Sequence, residues 1–201
     1  SNLSTAQVRN LTTAQIVSLK TDQITFLSAD KMAALTTRQI NAFTSLQWSV
    51  MGSAQIRSLS QSQVAALATS GLTGWGQTQV QSLDALQIGK LTTSQMAGLS
   101  STQIGNLTTL QISALMTQQI SAIDVGDLAA WNSAQIGTLS AKQVTALTTA
   151  QIYGMSSAQV GQLTAVSVQG LTTAQVRTLR SDQVAALTAR SEEHTSEPSH
   201  I

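Results

Sequence analysis

Leu11-Thr12-Thr13-Ala14-Gln15-Ile16-Val17-Ser18-Leu19 carries the signal that decides the fold. Thr12 and Gln15 have the spacing of a capping box. In that motif the hydroxyl accepts from the backbone N–H three residues on, and the glutamine reaches back to the N–H of the cap residue. Leu11 before the cap and Ile16 at the fourth helical position form the hydrophobic staple that sets how the chain enters the helix. Leu19 closes a helical piece of about one and a half turns and is also the staple residue of the next piece.

The unit repeats every eight residues along the chain. Leu11-Thr-Thr-Ala-Gln-Ile16 returns as Leu91-Thr-Thr-Ser-Gln-Met96, Leu107-Thr-Thr-Leu-Gln-Ile112 and Leu171-Thr-Thr-Ala-Gln-Val176. Every eighth residue from Val8 to Val184 is apolar, and so is every eighth residue from Leu3 to Leu187, with no break of register. Trp48, Trp75 and Trp131 all fall in these two series, which places them in the core. Ser, Thr, Asp or Asn fills the cap in 18 of 24 octads and Gln fills the box in 19 of 23, so the capped start is the rule of the chain.

A continuous α-helix does not fit, because eight residues turn it by about 800° and the apolar stripe drifts by about 80° per repeat. A continuous strand would put the two series on opposite faces. Isolated helices shorter than roughly 12–15 residues are marginal, so the pieces must stack on a shared core as solenoid repeats do. The expected fold is therefore all-α, a solenoid or superhelix of very short capped helices, one per octad. A β-solenoid is the alternative, since Thr, Ile and Val favour strands and stacked glutamines form ladders. Against it, the body has no proline, and its Asn and Gly residues do not recur at a fixed corner. Eight of the twelve glycines lie between the Ile/Val position and the next Leu, where small residues would let successive pieces approach closely. Gly71-Leu-Thr-Gly-Trp-Gly76 keeps the core register without normal caps, so an irregularity is expected there.

Two segments follow. Residues 1–189 form the octad solenoid, which begins in mid-pattern without Met as a fragment of a longer array would. Residues 190–201 hold both histidines (His194, His200), the only proline (Pro198) and all three glutamates (Glu192, Glu193, Glu197). The run Arg190 to Glu197 resembles a translated DNA sequencing adapter, which implies a non-native, disordered tail and removes the metal-site reading of its His and Glu residues.

Composition excludes several classes. There is no cysteine, hence no disulfide scaffold, thiolate zinc site or cysteine nucleophile. The apolar residues are dispersed, so no membrane span is expected, and no signal-peptide pattern opens the chain. A hydrophobic content of 42% at net charge +1 is too apolar for ordinary disorder. Residues 1–189 contain no His, Cys or Glu, and their six aspartates suit helix ends. Asp22, Asp30 and Asp182 sit in first turns, where negative charge favours the dipole, while Asp84 and Asp124 sit at caps. Asp124-Val-Gly-Asp127 lacks the spacing and oxygen count of a calcium loop. No enzyme activity, cofactor or metal is expected.

L-T-x-x-Q-V resembles the opening of the helical repeats of plant-pathogen TAL effectors. The likeness covers about six residues per unit, and an octad has no room for their base-reading loop. Arg9, Arg57 and Arg177 share one octad position but lie far apart, so no basic stripe follows a phosphate track and no nucleic-acid partner is expected. As a tandem array, L-T-T-x-Q-[I/V] is similar to stretches of very large bacterial secreted or surface proteins, often adhesin-like. That resemblance implies an extracellular or cell-surface spacer or adhesive segment, with a protein or glycan surface as partner and no residue-level site. Two other functions remain open. One is a peptide- or protein-binding solenoid whose first contacts are Phe26 and Tyr153, which lie outside the core series. The other is an ice- or glycan-binding surface of threonine rows, which requires the β-solenoid.

Overall fold

The computed structural model describes the backbone of residues 3–195 and the side chains of residues 3–188. Its described residues form twenty-three helices and no strand. All but the last helix are four to six residues long, from Thr5–Arg9 to Thr173–Thr178. The capping boxes close as the sequence predicts. Gln15 N–H donates to Thr12 Oγ1 at 3.2 Å, and Thr12 N–H donates to Gln15 Oε1 at 2.8 Å. Where the cap lacks a hydroxyl, the glutamine half persists: Gly52 N–H donates to Gln55 Oε1 at 2.8 Å and Met116 N–H to Gln119 Oε1 at 2.7 Å.

The break between helices takes two extended residues. Leu19 closes the helix Thr13–Ser18 with ψ 133°, and Lys20 opens the next with ψ 158°. No described residue has positive φ, glycines included. The β-solenoid alternative fails for a local reason. Cap threonines already occupy the extended region, as Thr12 does at φ −71° and ψ 159°, so their strand preference is met at the breaks without forming a strand.

Both apolar series enter one core. Ile16, Ile24, Met32, Ile40, Trp48 and Ile56 are fully buried, and the second series is buried from Leu27 to Leu163. Helices that pack side by side are three apart in the chain: Thr5–Arg9 lies against Ala29–Ala34, Ser53–Arg57 against Gln77–Ser82, and Ser101–Gly105 against Val125–Leu128. Side chains of the fourth helix along reach back 28 to 31 residues. One coil therefore takes about three and a half octads, much as an α-helix takes about 3.6 residues per turn.

The small positions serve neighbouring coils and not, as the sequence suggests, successive pieces. A Cβ on Gly74 would lie 2.0 Å from the carbonyl oxygen of Ser45, and one on Gly170 would lie 2.1 Å from that of Ala141. In both cases the neighbour is one coil earlier. The irregularity expected at Gly71–Gly76 is present. The helix Thr69–Leu72 starts at Ala68 without a side-chain cap, and Gly71 makes room for Trp48, whose ring would be 2.9 Å from a Cβ. Trp48 is tilted against Phe43 and Trp75, with ring centroids 5.4 and 5.7 Å away. Trp131 Nε1 donates to Ile104 O at 3.0 Å, whereas the buried Nε1 of Trp75 has no partner.

The last helix, Ser181–Thr195, is fifteen residues long. Thr188 stands at a cap position, but its hydroxyl donates to Val184 O and Ala185 O inside the helix. Ser191 and Glu192 replace the box Gln and the Ile/Val of an octad, so nothing stops the helix there. The boundary expected at residue 189 falls inside this helix, whose backbone continues to Thr195, and the rest of the 190–201 tail lies outside the described residues.

Glycine substitutions should separate the two kinds of small position. Gly74→Ala forces backbone against backbone and should cost about 1–3 kcal/mol. Gly137→Ala, whose Cβ would meet only Gln162 O at 3.5 Å, should stabilise by a few tenths to about 1 kcal/mol. Urea unfolding of the two variants checks both signs.

Candidate functional site

A helix of five residues leaves most of its carbonyls without an internal partner. In this chain the spare acceptor capacity collects at the end of each piece, on the Ile/Val carbonyl, which already accepts from the N–H of the closing Leu, and on the carbonyl of that Leu. The box glutamine of a later coil supplies the donor. Gln39 Nε2 donates to Val8 O at 2.9 Å and to Leu11 O at 2.8 Å. Gln95 Nε2 donates to Val64 O at 3.0 Å and Leu67 O at 2.7 Å, while its Oε1 accepts from Thr92 N–H at 2.7 Å. Each such glutamine, from Gln39 to Gln183, repeats this contact with the coil before it. The oxygen holds its own helix start and the nitrogen holds the previous coil. Apart from the partly buried Gln159, these side chains are buried; Gln95 is 2% exposed and Gln183 is 0%.

This division of labour explains a choice that capping leaves unexplained. Glu closes a capping box as well as Gln does, yet the octads contain no Glu. A carboxylate would turn acceptors toward carbonyl oxygens in a buried site, which is unfavourable. The second role of glutamine is the functional feature that reading the repeat as a capping signal misses. Its trace in the sequence is that strict preference for Gln over Glu.

The box position holds another residue at Lys31, Gly71, Asp127 and Ser167. Ser167 turns inward to Thr164, donating to its carbonyl at 3.0 Å. Asp127 stands where an amide would serve Met96 and Leu99. Burial, with the neighbouring charge of Asp124 second, raises its carboxyl above the ordinary carboxylate range. Asp124 is a cap whose Oδ1 accepts from Gly126 N–H at 2.8 Å. Asp84 is likewise a cap, accepting from Gln87 N–H at 2.8 Å. No group of three or more His, Cys, Asp or Glu residues that could hold a metal occurs among the described residues.

The structure does not bring Phe26 and Tyr153 together. Phe26 is 69% exposed and belongs to the first coil, where with Leu3, Leu11, Leu19, Gln7, Gln23 and Leu27 it lines an open depression of about 430 Å³. Tyr153 lies beneath Arg180, whose guanidinium is 5.3 Å from the ring centroid. Arg180 also donates to the carbonyls of Tyr153 and Met155 and pairs with Asp182 at 3.2 Å. That bond holds the Asp182 carboxyl below its ordinary range. Tyr153 is thus part of a contact between adjacent coils. The threonine-row surface loses its condition, because the described residues form no strand. Hydroxyls such as those of Thr44, Thr108 and Thr172 are occupied in accepting from backbone N–H groups at helix starts.

Two substitutions test the ladder. Gln95→Glu keeps the cap but buries a carboxylate against carbonyls, and should cost about 3 kcal/mol at pH 7. The new carboxyl has a folded pKa above its unfolded value of about 4.3. Its protonated form, which can donate, should restore stability below that value, and stability should be lost as pH rises through the folded pKa; urea titrations across pH read this directly. Asp127→Gln restores the missing rung and should raise Tm at neutral pH. Because the Asp127 carboxyl is raised in the fold, the unaltered chain gains stability from it as pH falls, and the variant should lose that dependence.

Ala146-Leu-Thr-Thr-Ala-Gln151 contains one staple, cap and box in six residues. A family model for the ALTTAQ repeat matches residues 1–29 and 120–157. No curated protein matches the chain. The chain is an octad array wound into an all-α solenoid, and two of its segments are similar to that repeat.

Proposed function

We propose that the array is a non-enzymatic structural element, an extended spacer or adhesive segment of a larger bacterial surface or secreted protein. The observation that carries this reading is the glutamine ladder, which ties each coil to the one before it through buried hydrogen bonds. In such a solenoid each repeat contacts only its neighbours, so length grows with repeat number while the cross-section stays constant. The chemistry of the body supports the same reading. Its aspartates serve helix starts, and residues 1–189 contain no His, Cys or Glu to act as base, nucleophile or metal ligand. No helix among the described residues is long and apolar enough to cross a membrane. An adhesive role would use the polar outer surface against a protein or glycan.

Duplicating Thr92–Leu147, seven octads or about two coils, preserves every cap and rung. Small-angle scattering of the dilute chain should show the maximum dimension rising by an equal step for each inserted block, at constant cross-sectional radius. Growth in all three dimensions would sink the spacer reading.

A further inference from the structure

Inside the described array the glutamine ladder is interrupted at the carbonyls of Phe43, Leu99 and Leu139. The leucines on either side of Leu99 each accept an amide: Leu91 O from Gln119 Nε2 at 2.7 Å, and Leu107 O from Gln135 Nε2 at 2.5 Å. In the same register of 28 residues, Phe43, Leu99 and Leu139 meet Gly71, Asp127 and Ser167, none of which carries an amide side chain.

What takes the place of the amide differs among the three. At Gly71 the indole of Trp48 fills the space, and it packs on Phe43 and Trp75 with ring centroids 5.4 and 5.7 Å away. At Asp127 an ionised carboxyl has no proton to donate. Ser167 is 1% exposed and spends its hydroxyl on Thr164 O, 3.0 Å away in its own octad. The helix Val125–Leu128 is therefore tied unevenly. Gln159 of the coil after it donates to Leu128 O at 3.2 Å and to Trp131 O at 3.0 Å, but its own box position sends no amide to the coil before.

These departures are not scattered. Among the box positions from Gln7 to Gln183, only Lys31, Gly71, Asp127 and Ser167 are not Gln. Asp127 follows Lys31 by 96 residues, or twelve octads, and Ser167 follows Gly71 by the same interval. Gly74 and Gly170 are also 96 residues apart. The Cβ that each lacks would lie 2.0 Å from the carbonyl oxygen of Ser45 and 2.1 Å from that of Ala141, two residues again separated by 96.

We infer that the array is organised in blocks of twelve octads, and that Asp127 and Ser167 mark joints where adjacent coils part first when the array is loaded along its axis. Each coil of a solenoid is held by its neighbours alone, so local opening starts at the interface with the fewest links. The first block closes its joint at Gly71 with aromatic rings, whereas the second leaves the matching joint at Ser167 without them. The use of the joints under load rests on the spacer reading; their existence rests on the ladder.

Hydrogen exchange of the full chain tests the joints. Leu128 N–H and Trp131 N–H, bonded to Asp124 O and Leu128 O, should show protection factors about tenfold lower than Ile112 N–H and Leu115 N–H, whose octad is tied back by Gln111. Asp127→Gln together with Ser167→Gln should remove that difference. Asp127→Asn takes away the charge but is one carbon short of the rung, and should leave it. Equal protection in the unaltered chain, a difference that survives the double variant, or an Asn variant as effective as Gln would each overturn the joints. Held by both ends in optical tweezers, the double variant should begin to lengthen at higher force than the unaltered chain, and equal forces would overturn the role under load. Failure of the chain to lengthen with inserted octads would remove the spacer reading and leave the exchange result standing.

Discussion

Carbonyls left over at the end of a very short helix are the constraint on which this structure depends. Five residues cannot satisfy their own backbone, and burying an unpaired carbonyl is costly. The chain meets the difficulty with one side chain per octad. The glutamine oxygen holds a helix start and its nitrogen reaches the carbonyls one coil away, so a local device and a long-range one share a single amide. Removing the donor while keeping the cap would leave the helices encoded and the stack without its axial bonds.

The same arrangement explains the repetition. A rung at Gln103 is made to Leu72 and Trp75, and a rung at Gln111 to Val80 and Leu83. Each box glutamine of these coils has the same task as the one eight positions away. Departures concentrate where something else fills the space. At Gly71 the box position has no side chain and Trp48 takes the space, and Trp48 joins Phe43 and Trp75 in a cluster of rings. The unpartnered Nε1 of Trp75 lies in that cluster. Arg180, at a cap without a hydroxyl, places its guanidinium on the carbonyls of the preceding coil and on the ring of Tyr153. In each case a bulky or charged side chain replaces part of the regular contact and takes over its packing.

An architecture of this kind has little use for a pocket. Its polar atoms are spent on caps and rungs, and its apolar ones on the core. What it offers is a surface that repeats. Phe26 and Tyr153 illustrate the difference between exposure and function. Both are exposed aromatics outside the core series, but one lies at the rim of the first coil and the other serves a contact between neighbouring coils.

Helix, cap and core were legible in the sequence because each depends on residues three to five positions apart. Thr12 and Gln15, or Leu11 and Ile16, meet whatever the rest of the chain does. The two unbroken apolar series likewise named nearly every core residue from Val8 to Leu163. The size of the coil, the second bond of each glutamine and the neighbours of Gly74 and Gly170 were decided only in three dimensions. The coil separates its hydrogen-bonded partners by 28 residues, which is not a whole number of octads, so the eight-residue period carries no mark of it. That separation arises from how much each two-residue extended break turns the chain and from how closely small residues let adjacent coils approach. Both are properties of packing, and neither is written in any single octad.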